Sequence, residues 1–177
     1  MHRTSAALRF ARRAGGRRAG RFSVFRALAL LWLLFAIAGC ARPVPDGGFY
    51  LRIYDWKTGA VYAEAPARAG SRLFFGWIHS QENIPWNEYY HVDASRSLIL
   101  DAITFPAFGA GIPESKGRVC RIQDGLIYME EIDQVFTELV WLNSHTATRD
   151  IVLDGAHVAR GDELPQHTRL RLVIEKR

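Results

Sequence analysis

His79, Ser80, Glu82 and Glu88 place an imidazole, a hydroxyl and two carboxylates close together in the chain. Three chemistries could use them: a base and nucleophile, a metal site completed by His91, or hydrogen bonding to a polar ligand. The metal reading lacks the usual spacing, since neither His-x-His nor a helical i, i+4 pair is present. No metal and no cofactor are therefore expected. Asn143-Ser144-His145-Thr146 repeats the pattern at the end of another apolar run. Nucleophilic catalysis needs a base within about 3 Å of the serine and an oxyanion hole. Adjacent Ser and His on a strand point to opposite faces, so a pair would form across the two motifs, for example Ser80 with His145. No Gly-x-Ser-x-Gly elbow accompanies them. A serine hydrolase using Ser80 or Ser144 with His79 or His145 is thus the alternative to a binding role.

A further loop, Phe108-Gly109-Ala110-Gly111-Ile112-Pro113, offers backbone N–H groups that can converge on an anion. No Lys-Ser/Thr follows at phosphate-loop spacing, which excludes a nucleotide loop. Trp77, Trp86, Tyr89, Tyr90 and Trp141 cluster in sequence around these polar groups, and aromatic walls around a few polar atoms are a habit of ligand sites.

These residues sit where a strand ends. Leu73 to Ile78 is apolar on both parities, as in a strand covered on both sides, and His79 and Ser80 emerge at its end. A Pro85-Trp86 turn returns the chain antiparallel at Glu88, and the next strand but one ends before Gly109. A meander would thus gather His79, Ser80, Glu82, Glu88, Gly109, Ala110 and Gly111 around one cavity, with His145 as a neighbour. That mixture suits a small polar ligand bearing a carboxylate. The alternative is that His79 and Glu82 only brace the two loops.

The rest of the chain reads as strands separated by turns roughly every 8–12 residues. Phe49–Tyr54, Ala60–Ala65, Arg72–His79, Glu88–Asp93, Ser97–Phe105, Arg118–Ile122, Leu126–Glu130, Ile151–Leu153, His157-Val158 and Arg169–Glu175 alternate or run apolar. Turns fall at Lys57-Thr58-Gly59, Ala94-Ser95-Arg96, Asp124-Gly125 and Asp154-Gly155. Met129, Ile132, Val135 or Phe136, Leu139 and Val140 recur at helical spacing, as in an amphipathic helix over Glu130–Val140, but Val135-Phe136-Thr137 and Val140-Trp141 are β-prone types, and Val135–Asn143 is read as a strand. The fold expected is all-β: a single antiparallel β-sandwich or partly open barrel of about 8–10 strands.

Charge is uneven. The 177 residues carry a net charge of +5, but residues 1–39 hold eight arginines and no acid. The remainder has 15 basic against 18 acidic residues, a net of −3, so nucleic acid is not an expected partner. The arginines precede a twelve-residue apolar run, Ala27–Ala38, short for a membrane span. It ends in Ile37-Ala38-Gly39-Cys40, which resembles a lipoprotein cleavage box. The expected organisation is a signal peptide at 1–39, a lipidated Cys40 opening a Pro/Gly-rich tether at 40–48, and one β domain at 49–177. An uncleaved N-terminal membrane anchor is the alternative. Cys120 then lacks an intrachain partner, and its parity between two arginines predicts a buried thiol.

His79-Ser80-x-Glu82-x-x-Pro85-x-x-Glu88, Gly109-Ala110-Gly111-Ile112-Pro113 and a β-rich C-terminus with Asp154-Gly155 together resemble the bacterial family called domain of unknown function 1850. The resemblance spans roughly Leu51 to Glu175, with departures at Gln81 and Trp86, where small and aliphatic residues are expected. It implies a small exported or membrane-anchored protein, often encoded beside TAXI-type TRAP transporters, which import organic anions with a solute-binding protein. The function expected is a lipid-anchored accessory on the periplasmic face of a bacterial membrane. It would bind a small organic anion or dock on the TRAP permease or its solute-binding protein.

Overall fold

The structure is a computed structural model that describes residues 48–176 except 110, 112 and 114. The expected signal segment, Cys40, the tether up to Gly47, and Ala110 lie outside the described residues. Among the described residues eleven strands run from β1 (Phe49–Asp55) and β2 (Val61–Ala67) through β3 (Arg72–His79), β4 (Ile84–Val92), β5 (Leu98–Phe105) and β6 (Val119–Gln123). They continue as β7 (Leu126–Phe136), β8 (Leu139–Leu142), β9 (Thr148–Leu153), β10 (Ala156–Arg160) and β11 (Arg169–Lys176). All pairings are antiparallel. A four-stranded sheet, β2-β1-β11-β8, faces a seven-stranded sheet, β10-β9-β3-β4-β5-β7-β6. The sheets do not close into a barrel, so the sandwich alternative holds.

Alternation sets the core. Leu51 and Ile53 of β1 and Leu170 and Leu172 of β11 are fully buried, and they join one cluster with Leu73, Leu100, Ile103 and Ile151 of the large sheet. The predicted central strand is interior, paired with β4 on one side and β9 on the other. Asp124-Gly125 and Asp154-Gly155 are two-residue hairpin turns with both residues at positive φ, the mirror-image geometry that matches strand twist.

Four expectations need correction. The strand expected over Ala60–Ala65 runs on through Pro66 to Ala67, because β2 is an edge strand where a missing N–H is tolerated. Pro85 and Trp86 belong to β4, and the connecting turn is Ser80–Asn83. No helix forms around 130–142, nor one continuous strand over Val135–Asn143: β7 ends at Phe136 and the chain crosses to the small sheet as β8. The helical spacing there has a local cause. A bulge in β7 leaves Glu131–Asp133 opposite little more than Asp101, with Glu131 and Asp133 at φ 56 and 53. The extra residues reset the inward parity, so Met129, Ile132 and Phe136 all reach the core. Arg118 clamps the bulge, its Nε 2.9 Å from Glu131 and its Nη2 2.8 Å from Asp133.

Cys120 is exposed rather than buried. Its parity is inward, since it pairs with the fully buried Met129, but β6 is the outer edge of the large sheet. Ile122, on the same side of β6, is 73% exposed.

On the outer face of the small sheet Glu175 accepts hydrogen bonds from Tyr54 Oη at 2.6 Å and Arg52 Nη1 at 2.9 Å. The phenol and then the guanidinium hold its carboxyl below the usual glutamate value of 4.5. The stabilisation from this carboxylate is fully present above that value and lost as pH falls through the lower, folded-state pKa. Thermal melting between pH 6 and about 2.5 should show a falling Tm below pH 4.5, and Glu175→Gln should flatten part of that fall. An unchanged slope in the variant would remove Glu175 from the acid response. Phe75, 7% exposed and edge-on to Trp141 at 5.2 Å, tests the core. Phe75→Ala should cost about 3 kcal/mol in a denaturant titration, the lower end for a buried phenylalanine, and a loss below about 1 kcal/mol would mark it as peripheral.

Candidate functional site

The β3–β4 hairpin sets the positions of the sequence motif. Its turn is closed by Asn83 N–H donating to His79 O at 2.8 Å, with Asn83 at φ 51, a conformation that asparagine tolerates. Trp77 pairs with Trp86 across the two strands, and His79 pairs with Ile84 one step nearer the turn. The rings stack accordingly: His79 lies 5.7 Å from both Trp77 and Trp86, and Trp86 is parallel to Phe105 at 4.9 Å. Phe108 meets Phe105 edge-on at 5.8 Å, so the ladder of rings leads into the loop after β5.

That loop returns over the hairpin. A Cβ added to Gly109 would lie 2.7 Å from Glu82 Oε1, and one on Gly111 would lie 2.8 Å from Gln81 Oε1 and 3.7 Å from His79 Cε1. The structure therefore brings His79, Glu82, Gly109 and Gly111 together at one rim, as the meander argument requires. Gly111 also has φ 77, so its backbone and its crowding both favour glycine. Glu82 fills the space over Gly109. His79 Nδ1 is buried without a hydrogen-bond partner.

Three of the predicted residues are placed otherwise. Ser80 is exposed in the turn. His145 Nε2 donates to Leu164 O at 2.9 Å, because a carbonyl can only accept, while Ser144 Oγ lies 3.1 Å from Thr146 Oγ1. Glu88 is not at the rim. It pairs with Phe75, four residues back from His79 along β3, roughly 13 Å away at strand rise.

Glu88 faces inward and lines a cleft of about 540 Å3 between the sheets. Its carboxylate accepts from Trp86 Nε1 at 3.1 Å and from Tyr90 Oη at 2.7 Å. Burial, then the adjacent Glu88 charge, pushes the Tyr90 phenol far above its ordinary value, so it remains a donor. Phe75, Trp77 and Phe136 of the large sheet and Trp141 of β8 form the walls, with Lys116 and Glu138 also lining the space. Glu138 lies 3.8 Å from Arg171. Trp77 joins the two regions, since it lines the cleft and stacks on His79.

The sequence pointed to Trp77, Tyr90 and Trp141 as an aromatic group, and these do line the cleft. It missed Lys116, Phe136 and Glu138, which lie in loops or near the crossover and carry no motif. A second groove, of about 670 Å3, crosses Phe74, Tyr89 and Tyr128 on the opposite, outward face of the large sheet. Its carboxylates are each paired: Asp101 with His91 at 2.8 Å, Glu130 with Arg121 at 2.7 Å and Glu131 with Arg118 at 2.9 Å. The inner cleft, whose carboxylate has only neutral donors among the described residues, is the better candidate site.

The family model described as a domain of unknown function (DUF1850) matches residues 74–159. The match runs from Phe74 in β3 to Ala159 in β10 and omits β1, β2 and β11, so it is shorter than the resemblance over Leu51–Glu175 suggests. No curated protein and no solved structure matches the chain. The matched stretch supplies Phe75, Trp77, Glu88, Tyr90, Lys116 and Trp141, the principal residues of the cleft. Over residues 74–159 the chain belongs to the family described as a domain of unknown function, DUF1850.

Proposed function

We propose that the protein is a lipid-anchored accessory of a TRAP-type (TAXI) transport system on the periplasmic face of a bacterial membrane. In this reading its β-sandwich holds a small organic solute bearing a carboxylate. The observation that carries the binding role is the cleft of about 540 Å3 between the sheets, walled by aromatic rings with a few polar groups. That size and lining suit a small-molecule site. Lys116 supplies a cation for the solute's carboxylate. The anchor rests on Ile37-Ala38-Gly39-Cys40 directly after the apolar run. The transport setting rests on the family resemblance alone.

The hydrolase reading is less well supported. His145 Nε2 is occupied by Leu164 O, Ser144 Oγ by Thr146, and Ser80 stands exposed on the hairpin turn. His145 and Ser144 are thus already engaged by other groups of the protein.

Two measurements test the proposal. Metabolic palmitate labelling should mark the wild-type chain and not Cys40→Ser; equal labelling of both, or of neither, removes the lipid anchor. The full chain in detergent should gain thermal stability with at least one member of a panel of small organic acids at about millimolar concentration. Trp141→Ala should weaken that response about tenfold. A flat response across the panel, with no TRAP component recovered after cross-linking in cells, would remove the accessory role.

A further inference from the structure

Among the described residues, two opposite charges in the cleft have no ion-pair partner. Glu88 accepts hydrogen bonds only from Trp86 Nε1 and Tyr90 Oη, both neutral groups, and no cation pairs with it among the described residues. Lys116 lines the same cleft and likewise makes no ion pair among the described residues. Glu138, the other carboxylate there, has Arg171 at 3.8 Å. Glu88 and Lys116 do not pair with each other, so the cleft holds a separated negative and positive pole.

The walls fit one end of such a ligand better than plain apolar packing would. Glu88 stands directly across from Phe75 in the strand register, beside Tyr90, and Trp77 and Trp141 line the same space. Phe136 meets Tyr90 edge-on at 5.9 Å and narrows the wall on that side. Aromatic faces around a carboxylate are the recognition chemistry of an organic ammonium group. A bare anion would meet Glu88 as a like charge in a partly desolvated space, where screening is weak.

We infer that the cleft takes a small zwitterion, its ammonium seated between Glu88 and the aromatic walls and its carboxylate turned to Lys116. This rests on the solute-binding reading above and narrows its substrate class from organic anions to amino acids and betaine-like compounds. Glu88 is the selecting residue and Lys116 the partner of the group shared with simple organic acids.

A matched set of probes sharing one phenyl ring separates the contributions: phenylalanine has both charges, 3-phenylpropionate only the carboxylate, and 2-phenylethylamine only the ammonium. Titrated into the full detergent-solubilised chain, phenylalanine should bind about tenfold more tightly than 3-phenylpropionate. Glu88→Gln should erase that advantage while leaving 3-phenylpropionate binding unchanged or tighter. Lys116→Met should instead erase the advantage of phenylalanine over 2-phenylethylamine. Equal binding of phenylalanine and 3-phenylpropionate to the wild type overturns the ammonium site and leaves the solute-binding reading standing. Absence of binding by all three probes, with the organic-acid panel also silent, overturns both. The wild-type comparison needs no variant, so a misfolded Glu88→Gln chain does not remove the test.

Discussion

Four strands cannot cover seven, and most of what is distinctive in this molecule follows from that inequality. Stacked sheets lie about 10 Å apart, so each strand of the small sheet seals only the part of the large sheet beneath it. β1 and β11 lie in the middle of the small sheet and supply its fully buried residues. Beyond β8, the edge strand, no strand of the described residues lies opposite the inward side of the large sheet. The consequences are graded along the sheet. Next to β8 lies the cleft with Glu88; farther out, on β6, inward-pointing Cys120 and Ile122 are exposed. The same parity that would bury a side chain under β11 thus exposes one on β6.

The edge of the cleft is held by a buried amide. Asn143 follows β8 directly, is fully buried, and donates from Nδ2 toward the carbonyls of Gly161, Leu164 and Pro165 at 2.9, 3.2 and 3.1 Å. Its backbone exchanges hydrogen bonds with the segment leading into β11, through Thr168 O and His167 N–H. Buried carbonyls without donors are expensive, and here the two N–H groups of one amide are shared among three of them. A Cβ on Gly161 would overlap Thr148 O, so the loop is pressed onto the start of β9 at that point. Trp141, two residues before Asn143, is thereby fixed as a wall of the cleft. His145, with its ring nitrogen on Leu164 O, belongs to this same clamp, which gives it a structural role in its own loop.

Much of the fold was legible because alternation is a local property. Leu73–Trp77 declared an interior strand, Leu170, Leu172 and Ile174 a one-sided one, and Asp124-Gly125 and Asp154-Gly155 their turns, each from a few neighbouring residues. The errors arose where alternation is interrupted or where neighbours are not local. The bulge at Glu131–Asp133 adds residues without changing their chemical type, so its spacing imitates a helix. The burial of Cys120 depends on how far the other sheet extends, which no neighbouring residue reports. The site was half legible for the same reason. Strand ends placed His79, Glu82, Gly109 and Gly111 at one rim, but Glu88 was carried there by a turn assigned at Pro85-Trp86. Starting β4 at Ile84 moves Glu88 down the strand and into the cleft.

The orphaned nitrogen of His79 bears on how the two regions divide their work. An N–H at Nδ1 would be a buried donor with no acceptor, so the ring proton belongs on Nε2 and Nδ1 is left as an unused lone pair. A base poised for catalysis needs that lone pair directed at a substrate proton; here it is enclosed, and the ring faces are against Trp77 and Trp86. Flat packing explains the placement better than proton transfer does. The imidazole extends the stack of rings to the end of β3 and gives the Gly111 loop a surface to rest on. Holding Trp77 from above, it also fixes one wall of the cleft below. The rim motif that stands out in the sequence is then the frame, and the carboxylate on the neighbouring strand, level with Phe75 and less conspicuous among tyrosines, is where a ligand would meet charge.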